Sequence, residues 1–292
     1  MTAVTTLPAP ACELGEGPCY DRAADCAWWP DILGKTLIEH RFSTGETLTH
    51  PLPRMASVVA RVDDDRQMLA MEDGLYRRAV ADGALTLLVP LEADDPATRS
   101  NDGRVHPSGR LWIGTMGREA QKGAGAIYWS DGAQIRTLFP ALSIPNSICF
   151  SADGGTGYFC DSAQNTVWRV ALDPATGLPT GEPDVFLTGE ALPRGGVFDG
   201  SVVDAQGVLW NAAHGGGSVS GFAPDGSLVC SIPLPTGQPT CPCFVGPALD
   251  RMIVTSAWEG YDAAQRAADP QAGCTFEVEG EFAGVAGADF KV

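Results

Sequence analysis

Gly109-Arg110-Leu111-Trp112-Ile113 is a turn residue running into a short apolar strand, and the chain repeats it five more times. The other copies are Asp25-Cys26-Ala27-Trp28-Trp29, Arg66-Gln67-Met68-Leu69-Ala70, Gly157-Tyr158-Phe159-Cys160, Gly207-Val208-Leu209-Trp210 and Arg251-Met252-Ile253-Val254. They return at intervals of roughly 40 to 50 residues, the length of one four-stranded propeller blade. Each copy is preceded by another strand-like stretch and followed by one or two more, such as Gly125-Ala126-Ile127-Tyr128-Trp129 and Asn165-Thr166-Val167-Trp168-Arg169-Val170. These stretches are short, β-branched or aromatic, and bounded by Gly, Asp, Asn or Pro. No long run carries a helical period of apolar residues, which disfavours an α/β fold with a parallel sheet. A two-sheet sandwich would leave the blade-length period unexplained. The expected fold is therefore all-β, a six-bladed β-propeller occupying residues 1–292 as one domain, with a short N-terminal extension over 1–11.

Composition agrees with a globular chain. Hydrophobic residues make up 44% and charged residues 19%, with 35 Gly and 22 Pro to punctuate the turns. A formal charge of -17, with no Lys/Arg cluster to override it, would repel a phosphate backbone, so nucleic acid is not an expected partner. The longest apolar runs, such as Met252 to Ala257, are strand length and far short of the roughly 20 residues that span a bilayer. Met1 to Pro10 has no basic residue and no apolar core of a secretory signal, so a cytoplasmic protein without membrane contact is expected. Nine scattered cysteines include no Cys-x-x-Cys pair and read as small buried hydrophobes kept reduced. A closed ring leaves few strand edges to pair, so a monomer is the expected state.

In a propeller the first strand of each blade lies innermost, so residues at the starts of different repeats converge on one axis. Starting the units near residues 14, 56, 101, 145, 198 and 242 puts Glu16, Asn101, Asp102, Asn146 and Asp199 at or near those entries. Such carboxylates and carboxamides make an oxygen-donor constellation suited to a cation. Each motif also has a plainer reading. Gly15-Glu16-Gly17 could be an exposed turn acid, and Ser100-Asn101-Asp102-Gly103, Pro145-Asn146-Ser147 and Phe198-Asp199-Gly200 could all be turns. No Gly-x-Ser-x-Gly elbow and no Gly-x-Gly-x-x-Gly is present, and His40, His50, His106 and His214 form no zinc-ligand pair.

The motifs occur together and in order, and in this the chain resembles the senescence marker protein, regucalcin and gluconolactonase family. The resemblance rests on Leu14-Gly15-Glu16-Gly17-Pro18, Trp29-Pro30-Asp31-Ile32, Arg99-Ser100-Asn101-Asp102-Gly103-Arg104, Gly109 to Met116, Pro145-Asn146-Ser147, Tyr158 to Ser162, Phe198-Asp199-Gly200, Cys243 to Pro247 and Val254 to Ala257. It covers the chain from about residue 12 onward. It implies a propeller with one divalent cation at the axis, held by Glu16, Asn146 and Asp199, and substrate contacts from Arg99, Asn101 and Glu119. The family usually has Asn-Gly where this chain has Asn146-Ser147, and often Pro-Asp-Gly where it has Phe198-Asp199-Gly200. Both departures keep the ligand and change its neighbour.

What the resemblance implies for function is hydrolysis of a sugar lactone, a carboxylic ester, with Asp199 or a cation-bound hydroxide as base. The hard oxygen set suits Ca²⁺, Mn²⁺, Mg²⁺ or Fe²⁺, with Zn²⁺ also admitted, and three protein ligands leave positions open for water and substrate. Pentonolactones such as xylonolactone and hexonolactones such as gluconolactone both fit this chemistry. The alternatives are a calcium-binding regulatory propeller, which needs the metal site but not Arg99, Asn101 and Glu119, an interaction scaffold without metal, and a hydrolase of other esters or phosphotriesters.

Overall fold

A computed structural model, which describes residues 2–292, has six four-stranded antiparallel sheets arranged as a six-bladed propeller. The innermost strands are Cys19–Asp21, Ala56–Arg61, Thr98–Val105, Pro145–Phe150, Val197–Val203 and Pro239–Val245. Five blades run outward in chain order, each strand pairing with the next. The sixth does not, because its outermost strand is Val4–Thr6, paired with Phe276–Val278. The stretch read from sequence as a short extension thus supplies the strand that closes the ring.

The recurring motif is the second strand of each blade, seen in Cys26–Asp31, Leu111–Gly117 and Leu209–His214. The turn ahead of it needs a left-handed residue, and Gly109 (φ 89°) and Gly207 (φ 82°) provide one without the strain a side chain would add. Apolar side chains of these strands pack between neighbouring blades, so the core is a ring of interblade layers. One layer joins blades three and four through Trp112, Ile127, Ile148, Phe159 and Val170. Another joins blades five, six and one through Trp29, Val254, Phe276, Trp210 and Val219. Outer strands face water, as at Val185 and Leu87.

After the last strand, residues 280–292 cross the underside of the ring. Phe282 packs against Trp210, ring centroids 5.0 Å apart, and Phe290 enters the layer between blades two and three. Burying each such ring contributes roughly 1.5–3 kcal/mol. The Phe290 amide donates to the Arg61 carbonyl at 2.7 Å, and Val285 to Ala288 line the lower end of the channel. Among the described residues no helix is long and apolar enough to cross a membrane.

Candidate metal centre and substrate mouth

Five of the six innermost strands lose register near the axis. The breaks fall between Ala56 and Val58, Ser100 and Gly103, Asn146 and Cys149, Phe198 and Ser201, and Pro239 and Pro242. A bulge re-aims a side chain that regular pleating would send into a neighbouring blade. Asn101, Asp102, Ser147 and Asp199 all lie within these bulges and are buried. Blade one reaches the same result differently: Gly15 bridges Asp31, the strand proper begins only at Cys19, and Glu16 sits in the gap. Gly17 there has φ 46°, and a Cβ would collide with the Ser57 carbonyl of blade two.

Hydrogen bonds stitch the blades around the axis. Thr240 Oγ1 donates to Gly15 O at 2.5 Å, Ser57 Oγ to Ser100 Oγ at 2.9 Å, and the Ile148 amide to Asp102 Oδ2 at 2.7 Å. The peptides leading into the candidate ligands are held as well. Asp31 accepts from the Glu13 and Leu14 amides, both at 3.0 Å, just before Glu16. Asp161 accepts from Ser143 at 3.1 Å and Ile144 at 3.0 Å, just before Asn146. Burial works against ionisation of Asp161, yet these bonds with those from Gln164 and Ala163 bring its carboxyl below the usual range. Asn165 Oδ1 accepts from the Phe198 amide at 3.0 Å, just before Asp199.

Glu16 and Asp199 are both buried, and the charge of Glu16 bears on Asp199. Burial is the main cause that pushes the Glu16 carboxyl up to about 8, and the charge of Asp102 adds to it. Burial likewise raises Asp199 well above its ordinary range, with Glu16 next in effect and Asp102 after it. Asp102 is raised by burial too, but its two oxygens are taken by the Gly103 and Ile148 amides, which makes it a charge beneath the site and not a free donor. Asn146 offers an amide oxygen nearby. Its orientation follows from Ser162, whose hydroxyl donates to Phe198 O at 2.6 Å and so must accept from Asn146 Nδ2 at 3.0 Å. Asn146 Oδ1 is thereby turned away, toward Asn101 Nδ2 at 2.8 Å, with a lone pair to spare.

Asn101 links this centre to Arg99. Arg99 Nη1 donates to Asn101 Oδ1 and to Ser100 O, both at 2.9 Å, while Asn101 Nδ2 also reaches Pro145 O at 3.1 Å. The donors therefore run one way, from Arg99 through Asn101 and Asn146 to Ser162. Arg99 is buried and its basicity is lowered by desolvation, against the opposing pull of Glu259 and Glu16. Glu119 stands apart: it is exposed on the turn after Leu111–Gly117, and its side chain makes no hydrogen bond or ion pair among the described residues. Arg118 beside it is the ordered residue of that turn, paired with Glu72 at 2.5 Å.

Two features of the mouth escaped the sequence reading. Glu259 is solvent-exposed, its amide donating to Glu13 O at 2.9 Å; desolvation by the protein around it raises its carboxyl, and the charge of Arg99 opposes this. Asp31 and Asp161 had a signal, since both end the second strand of their blade, but their role as peptide holders needed the geometry. Of the nine cysteines, all free, Cys230 is exposed, against the expectation that they are buried.

The donor set fits a hard divalent cation. Two buried carboxylates that repel each other are relieved by a positive ion between them, and an amide oxygen completes an all-oxygen set. Among the described residues no three His, Cys, Asp or Glu side chains gather as ligands, so a cation at this centre depends on the Asn146 amide oxygen. A cavity of about 250 Å³ opens at the other end of the channel, lined by Val58, Val105, Val202 and Phe244; none of Glu16, Arg99, Asn101, Asn146 or Asp199 lines it.

Residues 14–258 match the family profile described as SMP-30/Gluconolactonase/LRE-like region. The chain belongs to this family. It is 49% identical over 279 residues to a Rhizobium meliloti protein with the provisional name sugar lactone lactonase, covering 96% of this chain and 94% of that one. It is 34% identical to the L-arabinolactonase of Azospirillum brasilense, over 95% and 92% of the two chains. The crystal structure of a calcium-binding protein, regucalcin, from Agrobacterium tumefaciens superposes with a TM-score of 0.96 at 46% identity, covering 99% of this family member and 98% of that chain.

Proposed function

We propose that this family member is a sugar lactonase, a carboxylic ester hydrolase that opens an aldonolactone to its aldonic acid with the help of one divalent cation. The observation that carries the reading is the hydrogen-bonded run from Arg99 through Asn101 to Asn146, beside buried Asp199 and Glu16, the charge of Glu16 bearing on Asp199. The lactonase names borne by its relatives support it.

Glu16, Asn146 and Asp199 would hold the cation, which when bound supplies Lewis acidity at the lactone carbonyl. Arg99 spends one nitrogen on Ser100 O and Asn101 Oδ1 and keeps its other N–H groups for the carbonyl or ring oxygen of the substrate. Asn101 Oδ1 retains a lone pair for a sugar hydroxyl, and Glu119 contributes from the rim. Asp199 takes the proton of the attacking water as the new C–O bond forms. The ring C–O bond then breaks, and the leaving alkoxide collects that proton as the new hydroxyl. In the cation-free chain burial and the charge of Glu16 raise the proton affinity of Asp199, and the cation it helps to hold would oppose that rise.

The Agrobacterium structure favours a second reading, a calcium-binding regulatory propeller, since the same oxygen set suits Ca²⁺. One experiment separates them. Chelator-stripped protein receives Fe²⁺, Mn²⁺, Zn²⁺, Ca²⁺ or Mg²⁺ singly, and acid release from xylono-, arabinono- and gluconolactone is followed above the spontaneous rate. Cation-restored turnover of one of these is expected; folded protein that binds Ca²⁺ and hydrolyses none would establish the regulatory reading instead.

A further inference from the structure

The bulge that carries Asp199 is gripped from three blades. Phe198 pairs with Ala213 and Ser201 with Asn211, so Asp199 and Gly200 together oppose Ala212 and their carbonyls fall out of the regular ladder. Asn211 Nδ2 lies 3.0 Å from Asp199 O, 3.3 Å from Gly200 O and 3.0 Å from Ser201 Oγ. From blade four, Ser147 Oγ donates to Asp199 O at 2.5 Å and is itself reached by Ser201 Oγ at 3.1 Å. From blade six, Cys241 closes the third side: a Cβ on Gly200 would lie 2.5 Å from Cys241 Sγ.

Two costs converge on this grip. Ser147 is held at φ 56°, a left-handed conformation that a residue with a Cβ adopts only under constraint. Asn211 is fully buried, and its Oδ1 is left without a hydrogen-bond partner because the amide is turned to present both N–H groups to the bulge. An apolar side chain would fill the space of Asn211 without an orphaned oxygen, and glycine would accept the φ of Ser147 without strain. What neither could do is donate to the Asp199 peptide.

We propose that Ser147 and Asn211 are positioning residues: they clamp the Asp199 peptide so that its carboxylate is aimed at Glu16 and Asn146, and they set cation affinity through it. The inference rests on Asp199 as a cation ligand. Neither residue touches substrate. A merely structural role would have them satisfy buried carbonyls while leaving Asp199 where it is.

The test uses Ser147→Gly, Ser147→Ala and Asn211→Ala in the full chain, with Mn²⁺ alone as probe, read by calorimetric titration. Ser147→Gly removes the hydroxyl and the backbone strain together, so its unfolding midpoint without metal should equal or exceed that of Ser147→Ala. Mn²⁺ affinity should nonetheless fall about tenfold in both serine variants and in Asn211→Ala, with kcat reduced and KM for the lactone unchanged. A Ser147→Gly protein with wild-type Mn²⁺ affinity and kcat would overturn the clamp. Crystal structures of the variants give a readout that needs no cation: a displaced or doubly populated Asp199 carboxylate supports the clamp, and an unmoved one overturns it. Wild-type protein that binds no Mn²⁺ would instead remove Asp199 as a ligand, and the variant structures would still decide whether Ser147 and Asn211 aim it.

Discussion

The two ends of the axial channel are built from the same strands and have opposite characters. At the upper end the first residues of the inner strands, with Glu16 from blade one, bring carboxylates, amides and a guanidinium together. Further along the same strands, Val58, Val105, Val202 and Phe244 line a largely apolar space floored by Val285 to Ala288. The bulges separate the two. They turn the polar residues toward the axis, after which regular alternation resumes and returns apolar groups to it. Chemistry should accordingly be confined to the upper end, and stability should be shared by both.

The strongest attempt to break this contrast is Asp199→Ala. Turnover of the lactone should fall at least a thousandfold, equivalent to about 4 kcal/mol, with circular dichroism and unfolding cooperativity retained. Full activity in that variant would end the assignment of chemistry to the upper end. Phe244→Ala is the opposite probe. It should cost about 3 kcal/mol of stability by opening space beside Phe282, measured by denaturant titration, while kcat/KM per folded molecule stays within a factor of two. Arg99→Lys keeps the charge but loses the planar fork, so kcat/KM should drop between tenfold and a hundredfold with cation affinity preserved; loss of both would move Arg99 into the metal centre.

A subtler difference is in pH dependence. Glu16 and Asp199 are raised in the folded chain, so without metal the folded state holds protons that the unfolded state has already released. The stability they provide is complete below the ordinary carboxylate range and is lost as pH rises through about 8. Chelated protein should therefore show an unfolding midpoint that declines from pH 5 toward 8, and a saturating divalent cation should flatten the decline. Phe244→Ala should shift the whole curve downward without changing its slope.

The ring was legible from sequence because its period is written in the second strands, where a turn residue followed by an apolar run has a local physical cause. Glu16, Asn101, Asp102, Asn146 and Asp199 could be placed near the axis because inner strands converge whatever their details, whereas choosing Glu16, Asn146 and Asp199 among them as candidate ligands took the family resemblance. The bulges were not legible: Ser147-Ile148 and Asp199-Gly200 look like ordinary turns until their register against the next strand is known. Asp31 and Asp161 hold peptides 17 and 18 residues away in sequence, and no periodicity announces such a partnership. Glu119 shows the limit from the other side, since a carboxylate on a turn at the rim has no packing to fix it.

The pairing of Val4–Thr6 with Phe276–Val278 gives the molecule a seam, and Glu16 lies on one side of it. During synthesis the first blade emerges long before the strands it must meet, and closure joins segments some 270 residues apart, the kind of long-range contact that slows folding. Until the seam shuts, Glu16 and Asp199 belong to opposite ends of an open arc. An ion bound between them would act as a latch on that arc, favouring the closed ring over every gapped form by its binding free energy. Metal supply would then govern how long the protein survives proteolysis as well as how fast it turns over.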